Sequence, residues 1–249
     1  MALEGGSWAN RIVVITGATS GIGHAFAVRC AAEGAKVIAC GRNEQALQKL
    51  REQLSTIEVF RGDITEHSDR VKLKEFIQQR YTMIDVLVNN AGIMERVDLL
   101  EASVTDERIA NEIAVNLTGP ILLTRQLLPL LRSGRNPLII MITSGYALLP
   151  ARRAPTYSAT KAGLRSFTMA LRRQLRGVGI RVVEVLPPLV DTPATRSVKQ
   201  PKMSAASLVD GVLREIARGK DEILPGKVRF LPTLMRLAPT FVARVVAES

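Results

Sequence analysis

Short β-branched runs separated by helical stretches set the reading of this chain. Ile12-Val13-Val14-Ile15 opens the pattern, and Lys36-Val37-Ile38-Ala39-Cys40 continues it. Further strand-like runs recur at residues 57–61, 84–88, 137–143, 180–186 and 222–224, with helical patterns between them. Strands alternating with helices argue for an α/β fold built on a parallel, doubly wound sheet. No composition break, internal repeat or low-complexity tract divides the chain, so residues 1–249 read as a single domain. A chain of 249 residues is long enough for one sizeable core.

The first run leads into Thr16-Gly17-Ala18-Thr19-Ser20-Gly21-Ile22-Gly23, then the helical Ala25-Phe26-Ala27-Val28. A strand, a glycine-rich turn and a helix form the opening of a βαβ unit. Glycine serves where the backbone takes positive φ or approaches a ligand closely. The turn then offers free N–H groups and the positive end of a helix dipole to a pyrophosphate. Gly17, Thr19, Ser20, Gly21, Ile22 and Gly23 are the candidate cofactor contacts here; a tight surface turn is the competing reading.

The second run ends in Gly41-Arg42-Asn43. A fold of this kind that prefers NAD usually carries an acid near this tip to bind the ribose 2′-OH. Here Gly41 stands in that place and Arg42 follows. A guanidinium suits a 2′-phosphate, so the expected cofactor is NADP(H). The alternative is that Arg42 is a solvated charge opening the next helix.

Tyr157 and Lys161 lie four residues apart in Tyr157-Ser158-Ala159-Thr160-Lys161, on one face of a helix. A free phenol has a pKa near ~10, and a nearby ammonium favours the phenolate. The pair alone is common on amphipathic helices; its setting gives it weight.

Composition narrows the rest. Cys30 and Cys40 read as small buried apolar residues, not a disulfide. His24 and His67 are far apart, and no Cys/His cluster has metal spacing, so no metal is expected. The Met1–Asn10 stretch lacks a basic start and an apolar core, and no apolar run is long enough to span a bilayer. A cytoplasmic location is expected. The net charge of +11 is spread along the chain with no basic tail or arginine-rich recognition helix, so nucleic acid is not an expected partner. Arg152-Arg153, and Lys199 with Lys202, are candidates to meet an anionic substrate or carrier; solvated surface is the equal alternative.

Taken in order, these motifs resemble the short-chain dehydrogenase/reductase family over almost the full chain. The likeness rests on Thr16 to Gly23, Asp63, Asn89-Asn90-Ala91-Gly92, Asn116, Ser144, and Tyr157 with Lys161. The compact single-domain type is implied, with a Rossmann fold and dimers or tetramers of one chain. Gly41 to Asn43 and Pro187 to Thr192 also resemble a bacterial subgroup associated with teichoic-acid D-alanylation genes, a likeness that specifies no substrate.

The resemblance implies these roles. Asp63 would bond the adenine, with Ile64 beside it. Asn90, Ala91 and Gly92 would line the cofactor. Ser144 would orient a substrate carbonyl, and Tyr157 would be the general acid in reduction or the base in oxidation. Lys161 would hold the nicotinamide ribose and lower the Tyr157 pKa. Asn116 would hold a water linking Lys161 to solvent. Taken from the residues alone, Ser144 could instead cap a turn and Asn116 could bond a helix backbone.

The family often has Pro-Gly after its sixth strand, where this chain has Pro187-Pro188, so the backbone there is expected to run differently. Pro187, Val190 and Thr192 remain candidate cofactor contacts. Residues 191–205 are the expected substrate lid, and residues 226–249 the expected substrate wall or interface segment. Pro232 and Pro239 prevent one unbroken helix there, and contact with a membrane surface is a minor alternative. The expected activity is reduction of a ketone or aldehyde, or oxidation of the alcohol, on a small and possibly anionic substrate. The competing readings are a carrier-linked 3-ketoacyl reductase and a dinucleotide-binding sensor or scaffold without redox chemistry.

Overall fold

The structure, a computed structural model, describes residues 8–54 and 56–237. Seven parallel strands form the main sheet. They are β1 (Ile12–Thr16), β2 (Lys36–Gly41), β3 (Ile57–Arg61), β4 (Val86–Asn89), β5 (Leu138–Ile142), β6 (Arg181–Val185) and β9 (Glu222–Ile223). Each falls within two residues of a run read from the sequence. Two further strands were not expected: β7 (Val190–Asp191) and β8 (Met203–Ser204) pair with each other as a separate parallel ribbon.

Alternate side chains of the central strands feed two cores, as a pleated strand requires. Val13, Ile15, Val37, Ala39, Val86 and Val88 pack on one face with α1 (Gly21–Ala32), α2 (Glu44–Gln53) and α7 (Ala205–Ala217). Val14, Ile38, Leu87, Ile139 and Met141 pack on the other. There they meet α3 (His67–Gln78), α5 (Gly119–Arg132) and α6 (Pro155–Leu175). With both faces covered, the inner strands have no solvent side, which explains their nearly continuous apolar runs.

The strand order is β3-β2-β1-β4-β5-β6-β9. The chain therefore builds outward from β1 in one direction, then returns to β4 and builds in the other. The loops after β1 and β4 diverge at this switch point and leave a crevice beyond the carboxyl ends of the strands.

Much of the positive charge has structural work. Arg11 and Arg135 gather around the buried Asp85, and Arg181 pairs with Asp221 at 2.7 Å. Cys30 and Cys40 are buried free thiols, each pushed up to about 12 by burial. Among the described residues, no helix is long and apolar enough to cross a membrane. The expected segment 226–249 is described only to Leu237, as a 3-10 turn (Gly226–Phe230) running into α8 (Leu231–Leu237). Residues 238–249, including Pro239, lie outside the described residues, as does the start of the Met1–Asn10 stretch.

Candidate active site

The crevice is a cleft of about 770 Å³. Gly17, Thr19, Ser20, Gly21 and Ile22 line it from the first turn, and Arg42, Asp63 and Ile64 from the ends of β2 and β3. Asn90, Ala91 and Gly92 line it after β4, and Ser144, Tyr157, Lys161, Pro187, Val190 and Thr192 complete the expected set. Two expected residues stand behind the wall: Gly23 is buried in the turn, and Asn116 is 0% exposed.

The glycine-rich turn is shaped by close approach. Gly17 has φ +64, and a Cβ there would lie 2.8 Å from the Ala91 Cα. A Cβ on Gly23 would run into the Gly17 carbonyl and the Asn90 amide. Thr16 locks this turn to the loop after β4: its hydroxyl accepts from the Asn90 and Ala91 N–H groups, both at 3.0 Å. The Asn90 side chain donates back to the Thr16 and Gly17 carbonyls, so it holds two loops together as well as lining the cleft. Helix α1 starts at Ser20, whose side chain makes no cap bond, and its first turn carries no acid. Its end thus stays positive toward the cleft.

At the tip of β2, a Cβ on Gly41 would stand 2.8 Å from the Thr19 side chain. A larger residue is excluded there by packing. Arg42 donates to Asp63 at 3.3 Å, an association the sequence reading did not anticipate between two residues it assigned separate tasks. Burial acts upward on Asp63, but the Thr65 N–H and hydroxyl, with Arg42, hold its carboxyl below the usual value. Arg42 is well exposed, so the pair contributes only about 0–1 kcal/mol and can rearrange around a ligand.

The opposite wall is set by α6, where Tyr157, Lys161 and Arg165 follow one another at four-residue spacing. Lys161 is 3% exposed, donates to the Ile142 carbonyl at 3.0 Å, and has no ion-pair partner among the described residues. A buried ammonium without a counter-ion is costly, and such groups cluster at functional sites. Burial lowers Lys161 to about 8, against an upward pull from Glu112. Arg165 pairs with the fully buried Glu184 at 2.6 Å, and Glu184 accepts from the Thr143 hydroxyl at 2.8 Å. This chain of bonds fixes α6 against the end of β5 and so sets Ser144, the next residue.

Ser144 caps the 3-10 turn Gly145–Ala147, accepting from the Tyr146 N–H at 3.1 Å. The capping use of this serine therefore coexists with its place in the cleft. Tyr146 packs edge-on against Tyr157, with ring centroids 6.3 Å apart.

The expected lowering of the Tyr157 pKa by Lys161 is not found. Burial raises the phenol to about 12; the Ser144 hydroxyl acts downward, and Glu112 and Tyr146 act upward. The Lys161 Nζ lies 5.6 Å from the ring centroid, and its charge is itself weakened by burial.

The Asn116 side chain is engaged with the loop after β4. The Asn116 amide donates to the Ile93 carbonyl at 2.8 Å and accepts from the Ile93 N–H at 2.9 Å, which engages both of its polar ends. Asn116 sits in a π-helical turn, Ala114–Thr118, that directly follows α4 (Asp106–Ile113). A Cβ on Gly92 would lie 3.1 Å from its Oδ1 and 3.5 Å from Lys161 Nζ, so the three residues meet at one corner.

Four other residues escaped the sequence reading. Glu112, 2% exposed, accepts from the Glu95 N–H at 2.9 Å, one turn before Asn116. Arg108, a further turn back, pairs with Glu95 at 2.7 Å. The spacing of Arg108, Glu112 and Asn116 on one helical face was a readable signal. Arg96 and Lys227 also line the cleft, while Arg152, Arg153, Lys199 and Lys202 do not. Arg152 and Arg153 are exposed, and Lys202 pairs with Asp191 at 3.7 Å. The expected lid, residues 191–205, is tied down at both ends by the β7–β8 pairing, and Thr195 and Gln200 from it reach the cleft.

This geometry has close counterparts. The family described as short chain dehydrogenase matches residues 11–203. The uncharacterised oxidoreductase DltE of Bacillus subtilis is 36% identical over 222 residues, covering 86% of this chain and 87% of that protein. A short chain dehydrogenase from Burkholderia cenocepacia, solved with NADP, superposes with a TM-score of 0.86 at 26% identity, covering 96% of this chain and 98% of the other. A 3-ketoacyl-(acyl-carrier-protein) reductase from Brucella melitensis, solved with NADH, gives a TM-score of 0.81 at 26% identity over 88% of this chain and 97% of the other. From the order of its motifs, its strand topology and these matches, the chain belongs to the short-chain dehydrogenase family of oxidoreductases.

Proposed function

We propose that this oxidoreductase is an NADP(H)-dependent carbonyl reductase in which Tyr157 is the proton donor. The observation that carries the reading is the placement of Ser144, Tyr157 and the buried Lys161 on one wall of the cleft whose other wall is the glycine-rich turn. The cradle fits a dinucleotide. Gly17 and Gly41 leave room that any Cβ would fill, and the α1 end is open to a pyrophosphate. Gly17 to Ile22, Asp63 with Ile64, Asn90 to Gly92, and Pro187, Val190 and Thr192 would hold it. When bound, the cofactor supplies a hydride.

The protein's own part is to place and protonate the carbonyl. Ser144 and Tyr157 donate to its oxygen as negative charge develops there, and a donor of this type contributes on the order of 10²–10³ in rate. A phenol at about 12 is fully protonated at neutral pH, so Tyr157 is ready as an acid. The Lys161 ammonium stands behind the ring and offsets the charge that Tyr157 takes on when it gives up its proton.

The choice of NADP(H) rests on the β2 tip. The acid that would bind a 2′-OH is absent at Gly41, where a Cβ would press on the Thr19 side chain, and Arg42 offers a guanidinium in its place. The family contains relatives solved with NADP and with NADH, so the preference must come from these residues. Steady-state kinetics with a panel of ketones and aldehydes tests the proposal. NADPH is expected to exceed NADH in kcat/KM by about 10- to 100-fold, and Arg42→Ala to remove most of that margin. A preference for NADH in the wild-type enzyme would overturn the cofactor assignment.

A further inference from the structure

Charge is distributed unevenly along the cleft. Asp63, the one acid in the lining among the described residues, lies at the nucleotide end and faces Arg42. Beyond Lys161, the lining adds Arg96 and Lys227 and no acid. Neither of these two side chains makes a hydrogen bond or an ion pair among the described residues. Two other cations of the region do have partners: Arg108 with Glu95, and Lys202 with Asp191.

The backbone carrying Arg96 is fixed from both sides. Ile93 is held by two bonds to Asn116, the Glu95 N–H donates to Glu112, and the Val97 N–H donates to the Arg153 carbonyl at 2.9 Å. These bonds fix where the Arg96 Cα stands, while its exposed guanidinium keeps all its donors for a ligand. Lys227 precedes Val228, whose methyl groups would lie 3.7 Å and 3.9 Å from a Cβ on Gly145, next to Ser144. It is therefore at the catalytic end of the cleft. The same cleft also has an apolar lining from Met94, Leu149, Val228 and Leu231.

We infer that the substrate is an amphiphilic carbonyl compound with an apolar body and an anionic group, carboxylate or phosphate, bound by Arg96 and Lys227. This inference rests on the carbonyl-reductase reading and names its substrate class. The two cations line the cleft itself, which fits an anion carried on the substrate. Arg152 and Arg153 stand outside it and are not part of the site.

The test uses straight-chain ω-oxoalkanoates of increasing length, their methyl esters, and ω-oxoalkyl phosphates, with NADPH. The wild-type enzyme is expected to show a KM about tenfold or more lower for the anionic members than for the esters, with the difference shrinking as salt rises. Arg96→Gln and Lys227→Gln are each expected to raise the KM for the anions by about tenfold and to change that for the esters much less. The ester serves as the check on folding. Preference for the carboxylate or the phosphate series identifies the head group. Equal KM values for acid and ester would overturn the inference, as would variants without effect. A rise in the KM for NADPH in place of the substrate would also overturn it, because the cations would then serve the cofactor. Calorimetric titration with an ω-hydroxyalkanoate separates this inference from the one it rests on. Arg96-dependent binding supports the anion site even if no aldehyde is reduced, and absence of binding rejects it.

Discussion

The two ends of the cleft are built in different ways. The nucleotide end is made of backbone: a glycine-rich turn, the open end of α1, and a lattice of bonds through Thr16 and Asn90 that ties β1 to β4. The substrate end is made of side chains from five separate segments: the loop after β4, the turn after β5, α6, the Pro187–Thr195 stretch and the 3-10 turn before α8. Backbone shape at strand ends is determined by the fold and suits a ligand common to the family. Side chains on connecting loops vary without disturbing the sheet, and there a particular enzyme sets its substrate.

Changes at the two ends should therefore fail in different ways. The largest effect is expected from Tyr157→Phe, which keeps the ring and removes the proton. Its kcat should fall by about 10³ while the Kd for NADPH, read by nucleotide fluorescence, stays unchanged. Turnover near the wild-type rate would show that another group donates the proton. At the nucleotide end the loss should appear in binding and stability instead. Gly17→Val forces a branched side chain into φ +64 and against Ala91, at a cost of about 2–5 kcal/mol. Thermal unfolding and NADPH titration should both register it; a variant with full affinity and unchanged Tm would mean the turn is free to move.

The smallest effect concerns pH. Reduction needs a protonated phenol and a charged Lys161. The phenol, at about 12, stays protonated across the accessible range, whereas Lys161, at about 8, does not. The kcat/KM for reduction should be level below about pH 8 and fall above it, by at most about tenfold per unit. A profile that keeps rising to about pH 10 would remove Lys161 from the reaction.

Most of the main sheet was legible because buried parallel strands leave an apolar record in the chain, and each run fell close to its strand. The ribbon of β7 and β8 was not, since two-residue strands have no period to detect. Most residues expected at the site gather at one cleft, with surroundings that spacing did not foretell. Asn116 gives both ends of its amide to Ile93, and the Tyr157 phenol is raised where lowering was expected. Spacing on a helix shows that a tyrosine and a lysine can be neighbours. It does not report how deeply both are buried, and burial outweighs their mutual attraction here.

The sequence by itself determined the alternation of strands and helices and the glycine-rich turn, because local periodicity and backbone freedom are properties of neighbouring residues; the polar residues expected at the crevice came from the order of motifs that the chain shares with its family. Only the tertiary structure decided that Arg96 and Lys227, and not Arg152, Arg153, Lys199 or Lys202, line the cleft. Those contacts join segments far apart in the chain. Which charges end up unpaired and facing a ligand depends on every partner that packing brings to the others.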